Sequence, residues 1–239
     1  MPSHSSRPTN SVPQSTHHWV MAGIVSSASR FIPIPFVDDV IRDRCQRYVV
    51  AKTLVAHGAE GHWDQVRPYI DADAGCLAGC LAQVAKAPLK LLMFPIRKVV
   101  SVLTSVRGVP LEITRMVLLG RTLDRRLKND GVPSAAEAAQ MRVAFDAAFA
   151  RMDLHAIKAV INDALNQIGD WKGAAIDASR EVLGSPDDSK VPDLSTDAIA
   201  NLPKVEADAI HVDQALHSPD VLQLFAEFDA RFDSELANL

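Results

Sequence analysis

Residues 86–128 carry ten basic side chains (Lys86, Lys90, Arg97, Lys98, Arg107, Arg115, Arg121, Arg125, Arg126 and Lys128) against only Glu112 and Asp124, within the most apolar part of the chain. No other feature constrains the fold as much. Such a segment must place its apolar side chains in a core or a bilayer while its cations find water, anionic lipid or acidic side chains. The flanking zones show where counter-charge is available: residues 1–85 are balanced, and residues 129–239 hold eight basic against twenty acidic side chains. The net charge of -4 conceals zones of 0, +8 and -12. The basic zone therefore calls for an anionic membrane surface or an acidic protein partner, and the acidic partner can be the chain's own C-terminal half.

The apolar residues recur at helical spacing. Aromatic content is 5% and Ala and Val are heavily used, which favours close-packed helices over sheets. Trp19–Ser29 is a short apolar helix, and the alternating prolines of Phe31-Ile32-Pro33-Ile34-Pro35 force an extended connection after it. A helix over 36–57 places Val37, Val40, Ile41, Cys45, Tyr48, Val49 and Val55 on one stripe, with Asp38 and Asp39 in its first turn and Asp38–Arg42 and Asp43–Arg47 as i,i+4 pairs. A turn-rich stretch over 59–73 follows. From Ala74 to Lys128, Pro88, Pro95 and Pro110 punctuate an apolar run. Arg107-Gly108 ends one helix there and Pro110 starts the next, which predicts two or three helices forming an apolar hairpin with cationic ends.

Ser134 and Glu137 form a capping box that opens a helix with Met141, Phe145, Ala148, Phe149 and Met152 inward. Ile157, Ile161, Leu165 and Ile168 mark a second helix, and 171–183 a third, stopped at Gly184. After a polar, proline-bearing linker come helices over 204–216 and 219–237, the last opened by Ser218 and Pro219. Its stripe of Val221, Phe225, Phe228 and Phe232 needs an apolar surface to dock on, and burying its three Phe is worth about 5–8 kcal/mol as an upper bound. The predicted organisation is a disordered tail over 1–16, a helical core over 17–183, a linker over 184–203 and a C-terminal segment over 204–239 that packs back on the core. The fold class is all-α: a multi-helix bundle with a central apolar hairpin wrapped by amphipathic helices.

Catalytic signatures are missing. The glycines form neither G-x-G nor GK[ST], and G-x-S-x-G, H-E-x-x-H and C-x-x-C are absent, so no cofactor and no enzymatic activity is expected. Cys76 and Cys80, one turn apart, can be combined with His57 and His62 into a tetrahedral metal set, but C-x-x-x-C beside Gly75 and Gly79 fits a close helix–helix contact better. Asp38, Asp39 and Asp43 read as first-turn acids and ion-pair partners rather than an acid/base set. Isolated His155, His211 and His217 read as surface or boundary residues, and Trp63 and Asp64 beside His62 are a weak cleft candidate. Three cysteines make no disulfide framework and fit a reducing, cytoplasmic compartment. The N-terminus lacks a conventional secretory signal, and the cations after residue 85 interrupt any simple membrane span.

The expected function is therefore interaction: peripheral membrane association through Lys86, Lys90, Arg97, Lys98 and Arg107, or a soluble protein-binding scaffold, or a pore-former-like bundle that conceals its hairpin. Nucleic acid is not an expected partner, because aromatics do not interleave with the cations. A homo-oligomer remains open, with the C-terminal stripe as its seam. The run Ile32-Pro33-Ile34-Pro35-Phe36-Val37-Asp38, leading into a helix that ends at His57-Gly58, resembles the opening segment of EcsC-like bacterial helical proteins. That resemblance covers about a tenth of the chain, and the glycine-rich apolar stretch of that family has no counterpart here. It implies an all-helical protein that contacts the inner face of the cell membrane, with no catalytic residues to carry over.

Overall fold

The computed structural model describes residues 16–34, 37–71, 97–184, 199 and 202–239, with side chains in α4 from residue 108 onward. Among these residues it is all-α. The helices are α1 (Thr16–Ala28), α2 (Val37–Ala56), the single turn α3 (Trp63–Val66), α4 (Arg97–Asn129), α5 (Ala135–Ala150), α6 (His155–Asn166), α7 (Trp171–Gly184), α8 (Pro203–Leu216) and α9 (Pro219–Ala237). Short 3-10 turns at Ser29–Phe31, Glu60–His62 and Arg67–Tyr69 join them.

At the centre of the bundle lies α1. Trp19 and the unbroken run from Val20 to Ala28 are buried, as expected of a helix apolar on all faces. It packs against α2, α4, α7 and α8. Small residues permit the closest of these approaches. A Cβ on Gly23 would stand 2.6 Å from the Ile113 Cα, and one on Gly120 would overlap the Trp19 indole. The buried serines of α1 and the turn after it are all satisfied: Ser26 Oγ donates to Glu112, Ser27 Oγ to the Ile24 carbonyl and Ser29 Oγ to the Ser26 carbonyl. The first helix starts at Thr16, inside the stretch expected to be a disordered tail; residues 1–15 lie outside the described residues.

The long helix α4 corrects the break expected at Arg107-Gly108 and Pro110. It runs continuously through Pro110. A proline there forfeits one backbone hydrogen bond and crowds the preceding turn. The helix persists because Val109, Ile113, Met116, Val117, Leu118, Leu119 and Leu123 are almost wholly buried, and packing outweighs the local cost. Thr114 and Thr122 turn their hydroxyls onto the carbonyls of Pro110 and Leu118, so these buried hydroxyls are satisfied within the helix. The other arm of the expected hairpin, 74–96, lies outside the described residues.

On α2, Val37, Ile41, Cys45, Tyr48 and Val49 are buried, whereas Val40 and Val55 are exposed and Gln46 and Thr53 take inward positions. The expected stripe is too wide: at 100° per residue, Val40 lies about 100° around the helix from Ile41. The box at Ser134 forms in both directions, with Ser134 Oγ accepting from the Glu137 N–H at 3.3 Å and Glu137 accepting from the Ser134 N–H at 2.8 Å. Helix α5 buries Met141, Phe145 and Ala148 and leaves Phe149 and Met152 partly buried. Helix α8 packs on α1, α6 and α7, and α9 on α5 and α6. One contiguous apolar cluster includes residues from α1 through α9, and Ile199, from the expected linker, is buried in it.

Candidate interaction surface

The described arginines of the basic stretch turn to the chain's own carboxylates, while Lys128 is exposed. Arg121 grips Asp229 of α9 through both nitrogens of one edge, at 3.1 and 2.6 Å, and Arg125 spans Asp229 at 3.2 Å and Asp233 at 2.8 Å. Arg126 pairs with Asp130 at 2.7 Å and with the capping-box Glu137 at 3.1 Å. Arg115 reaches Asp146 of α5 at 2.5 Å. Two of these guanidiniums also lie over aromatic rings, Arg115 over Phe149 at 5.3 Å and Arg121 over Phe225 at 5.6 Å, a geometry in which ring quadrupole and carboxylate both favour the cation. The acidic C-terminal half thus supplies Asp130, Glu137, Asp146, Asp229 and Asp233 to this basic helix.

The two acids of the basic zone are also engaged. Asp124 holds His57 Nε2 at 2.8 Å. Glu112, with 4% of its surface exposed, accepts from Ser26 Oγ at 2.9 Å and Arg42 Nε at 3.0 Å, and pairs with Arg30 at 3.5 Å. A buried carboxylate is tolerable only when so compensated. The cluster ties α4 to α1 and α2 just after Gly108, where an added Cβ would overlap the Arg30 guanidinium.

The expected contact residues divide differently. Lys86 and Lys90 lie outside the described residues; Arg97, Lys98 and Arg107 belong to the N-terminal part of α4, with side chains outside the description. The C-terminal stripe is buried, with Val221, Phe225, Phe228 and Phe232 at most 4% exposed. Phe228 meets Phe145 edge to face at 5.6 Å and stacks with Phe232 at 6.5 Å. Its packing partner is mainly α5, and the basic helix is reached through the ion pairs.

Of the candidate metal ligands, His57 bonds Asp124 and His62 is exposed, while Cys76 and Cys80 lie outside the described residues. Among the described residues no group of three or more metal-ligating side chains converges. The pair drawn between Asp38 and Arg42 is corrected, since Arg42 turns to Asp39 and Glu112, while Asp43–Arg47 forms at 2.8 Å. Glu112, on α4, is 4% exposed, and its low exposure makes it the stronger acceptor for Arg42. Trp63 is a core residue, and His62 and Asp64 beside it are exposed, so they line no cleft. Of the isolated histidines, His155 and His217 are exposed and His211 is at the boundary.

The Glu112 cluster was missed by sequence reasoning. Its signal was a lone acid in a basic, apolar run, and its partners lie 70 and 82 residues away. No helix among the described residues is long and apolar enough to cross a membrane. Comparison of the chain with protein-family models, curated proteins and solved structures finds no match.

Proposed function

We propose that this chain is a non-enzymatic helical protein that associates peripherally with an anionic membrane surface, at the inner face of the cell membrane, through residues 86–107. One observation carries the reading: the basic zone is divided. Its second half spends Arg115, Arg121, Arg125 and Arg126 on the chain's own carboxylates. Its first half, 86–107, holds Lys86, Lys90, Arg97, Lys98 and Arg107 and not a single acidic residue in sequence. Cations with no local counter-charge on an apolar segment fit an anionic leaflet, where each contributes about 1 kcal/mol and five give roughly 5 kcal/mol before any side chain inserts. The EcsC-like segment over 32–58 supports the same reading.

Flotation with phosphatidylcholine vesicles, with and without phosphatidylglycerol, tests it. The full chain floats with the anionic vesicles only, and binding weakens as salt shortens the screening length to about 8 Å and below. Replacing Lys86, Lys90, Arg97 and Lys98 with Gln reduces flotation. Equal binding to neutral vesicles, or unchanged binding by the substituted protein, overturns the proposal; failure to float at all would leave an acidic protein as the partner of this segment.

A further inference from the structure

A cleft of about 740 Å³ opens where α2, the turn at Arg67–Tyr69, α4 and α5 meet, well within the size of small-ligand sites. Five guanidiniums line it: Arg42, Arg47, Arg67, Arg115 and Arg142. Three carboxylates, Asp39, Asp43 and Asp71, line it as well, and its one apolar lining residue is Ile70.

Among the lining arginines, Arg142 is 14% exposed, Arg47 22%, Arg115 30%, Arg42 32% and Arg67 46%. Of the lining acids, Asp71 is 28% exposed, Asp43 45% and Asp39 71%. The most enclosed lining charges are therefore the cations Arg142 and Arg47, which form the floor, whereas Asp39 and Asp43 stand at the mouth. The floor is also under-satisfied. Arg115 Nε is buried with no hydrogen-bond partner, and Arg47 Nε, although 2.8 Å from Asp43, is not aligned to donate to it. Such orphan donors are rare in native interiors and costly where they occur. Burial pulls the Arg115 pKa down against the attraction of Asp146, so the desolvation of this cation is not fully offset by its partner.

We propose that this cleft binds a small, multiply charged phosphate anion, with Arg47, Arg115 and Arg142 as the floor donors. Planar guanidiniums present paired N–H groups that match phosphate oxygens, which a point-like ammonium does not. Nine of the ten lining residues are charged or polar, which favours a ligand rich in polar atoms. The same chemistry is supplied by a free polyphosphate or by the polyphosphorylated headgroup of a lipid. None of the lining residues belongs to 86–107, so its failure and the failure of the membrane reading are separable.

Calorimetric titration of the full chain with inorganic tripolyphosphate at low salt tests the proposal. Arg47→Gln and Arg67→Gln each weaken binding by about tenfold or more, because each removes charge-assisted donors. Arg67 is 46% exposed and pairs with Asp71, so R67Q is the variant least able to disturb the fold, which unfolding midpoints check. D43N and D71N have the opposite effect, tightening binding several-fold by removing carboxylates that compete for the arginines. A purely structural ion-pair network predicts no such gain. Replacing Lys86, Lys90, Arg97 and Lys98 with Gln leaves the titration unchanged. Displacement of tripolyphosphate by vesicles containing phosphatidylinositol bisphosphate assigns the ligand to a lipid headgroup, and its persistence assigns it to a free anion. Absence of tripolyphosphate binding, or binding indifferent to both the Arg and the Asp substitutions, overturns the proposal.

Discussion

Two neighbouring residues of α9 separate the forces that hold this helix to the bundle. Phe228 is 1% exposed and meets Phe145 edge to face. Truncation to Ala removes a ring from a packed site that cannot fully collapse, at a cost of about 3–5 kcal/mol. Asp229 binds two arginines, but Arg121 and Arg125 are 33% and 29% exposed, so water screens the charges that D229N would leave behind. The expected loss is about 1–2 kcal/mol, above an exposed pair and below a buried one. Against a total stability of order 5–15 kcal/mol, F228A is the severe change and D229N the mild one. Urea unfolding at low and high salt measures both. The F228A deficit stays constant with salt, while the D229N deficit shrinks. If D229N costs more than F228A, charge rather than apolar burial holds α9, and the reasoning fails.

Three further outcomes follow from the core. E112A strands Arg30 and Arg42 at a half-buried site and costs about 2–3 kcal/mol by denaturant unfolding, whereas a loss below about 0.5 kcal/mol would mean that water already compensates them. G120A drives a methyl into the Trp19 indole and costs about 1–3 kcal/mol; an unchanged midpoint would contradict the close α1–α4 approach. Burial first, then the neighbouring His17 and Lys52, push His18 down from 6.5 to about 4 in the folded protein. The unfolded chain then binds the extra proton, so the His18 contribution to stability is intact above pH 6.5 and is lost as pH falls toward 4. H18Q flattens the unfolding midpoint between those values relative to the native chain, and a ring that titrates near 6.5 in the folded protein would refute the shift.

How much of this was legible depends on how local the determining forces are. The capping box at Ser134 was readable because a cap acts over three residues, and the start at Pro219 because the fixed φ of proline suits the first helical position; the cap expected from Ser218 does not form, since its hydroxyl makes no cap hydrogen bond. The α9 stripe was readable because a 3.6-residue pattern states which face needs a partner, although not that α5 would provide it. Pro110 misled because its local preference is real and tertiary packing overrides it. The central position of α1 could not be read from a stripe, since a helix buried on every face has none. The Glu112 cluster and the arginine cleft join residues from separate helices, and no pattern within a window connects Arg42 to Glu112 or Arg47 to Arg142.

The central claim is that position, not total charge, makes part of the basic zone available to a partner. Two variants of equal charge test it directly: one replaces Lys86, Lys90, Arg97 and Lys98 with Gln, the other Arg115, Arg121, Arg125 and Arg126. Both lose four positive charges, but only the first loses cations from a stretch with no acidic residue in its sequence. Flotation with phosphatidylglycerol vesicles, on protein shown by circular dichroism to be folded, is the measurement. The account predicts that the first variant stops floating while the second still floats, with reduced stability from its broken ion pairs. Equal loss of flotation in both, or loss in the second alone, would contradict it.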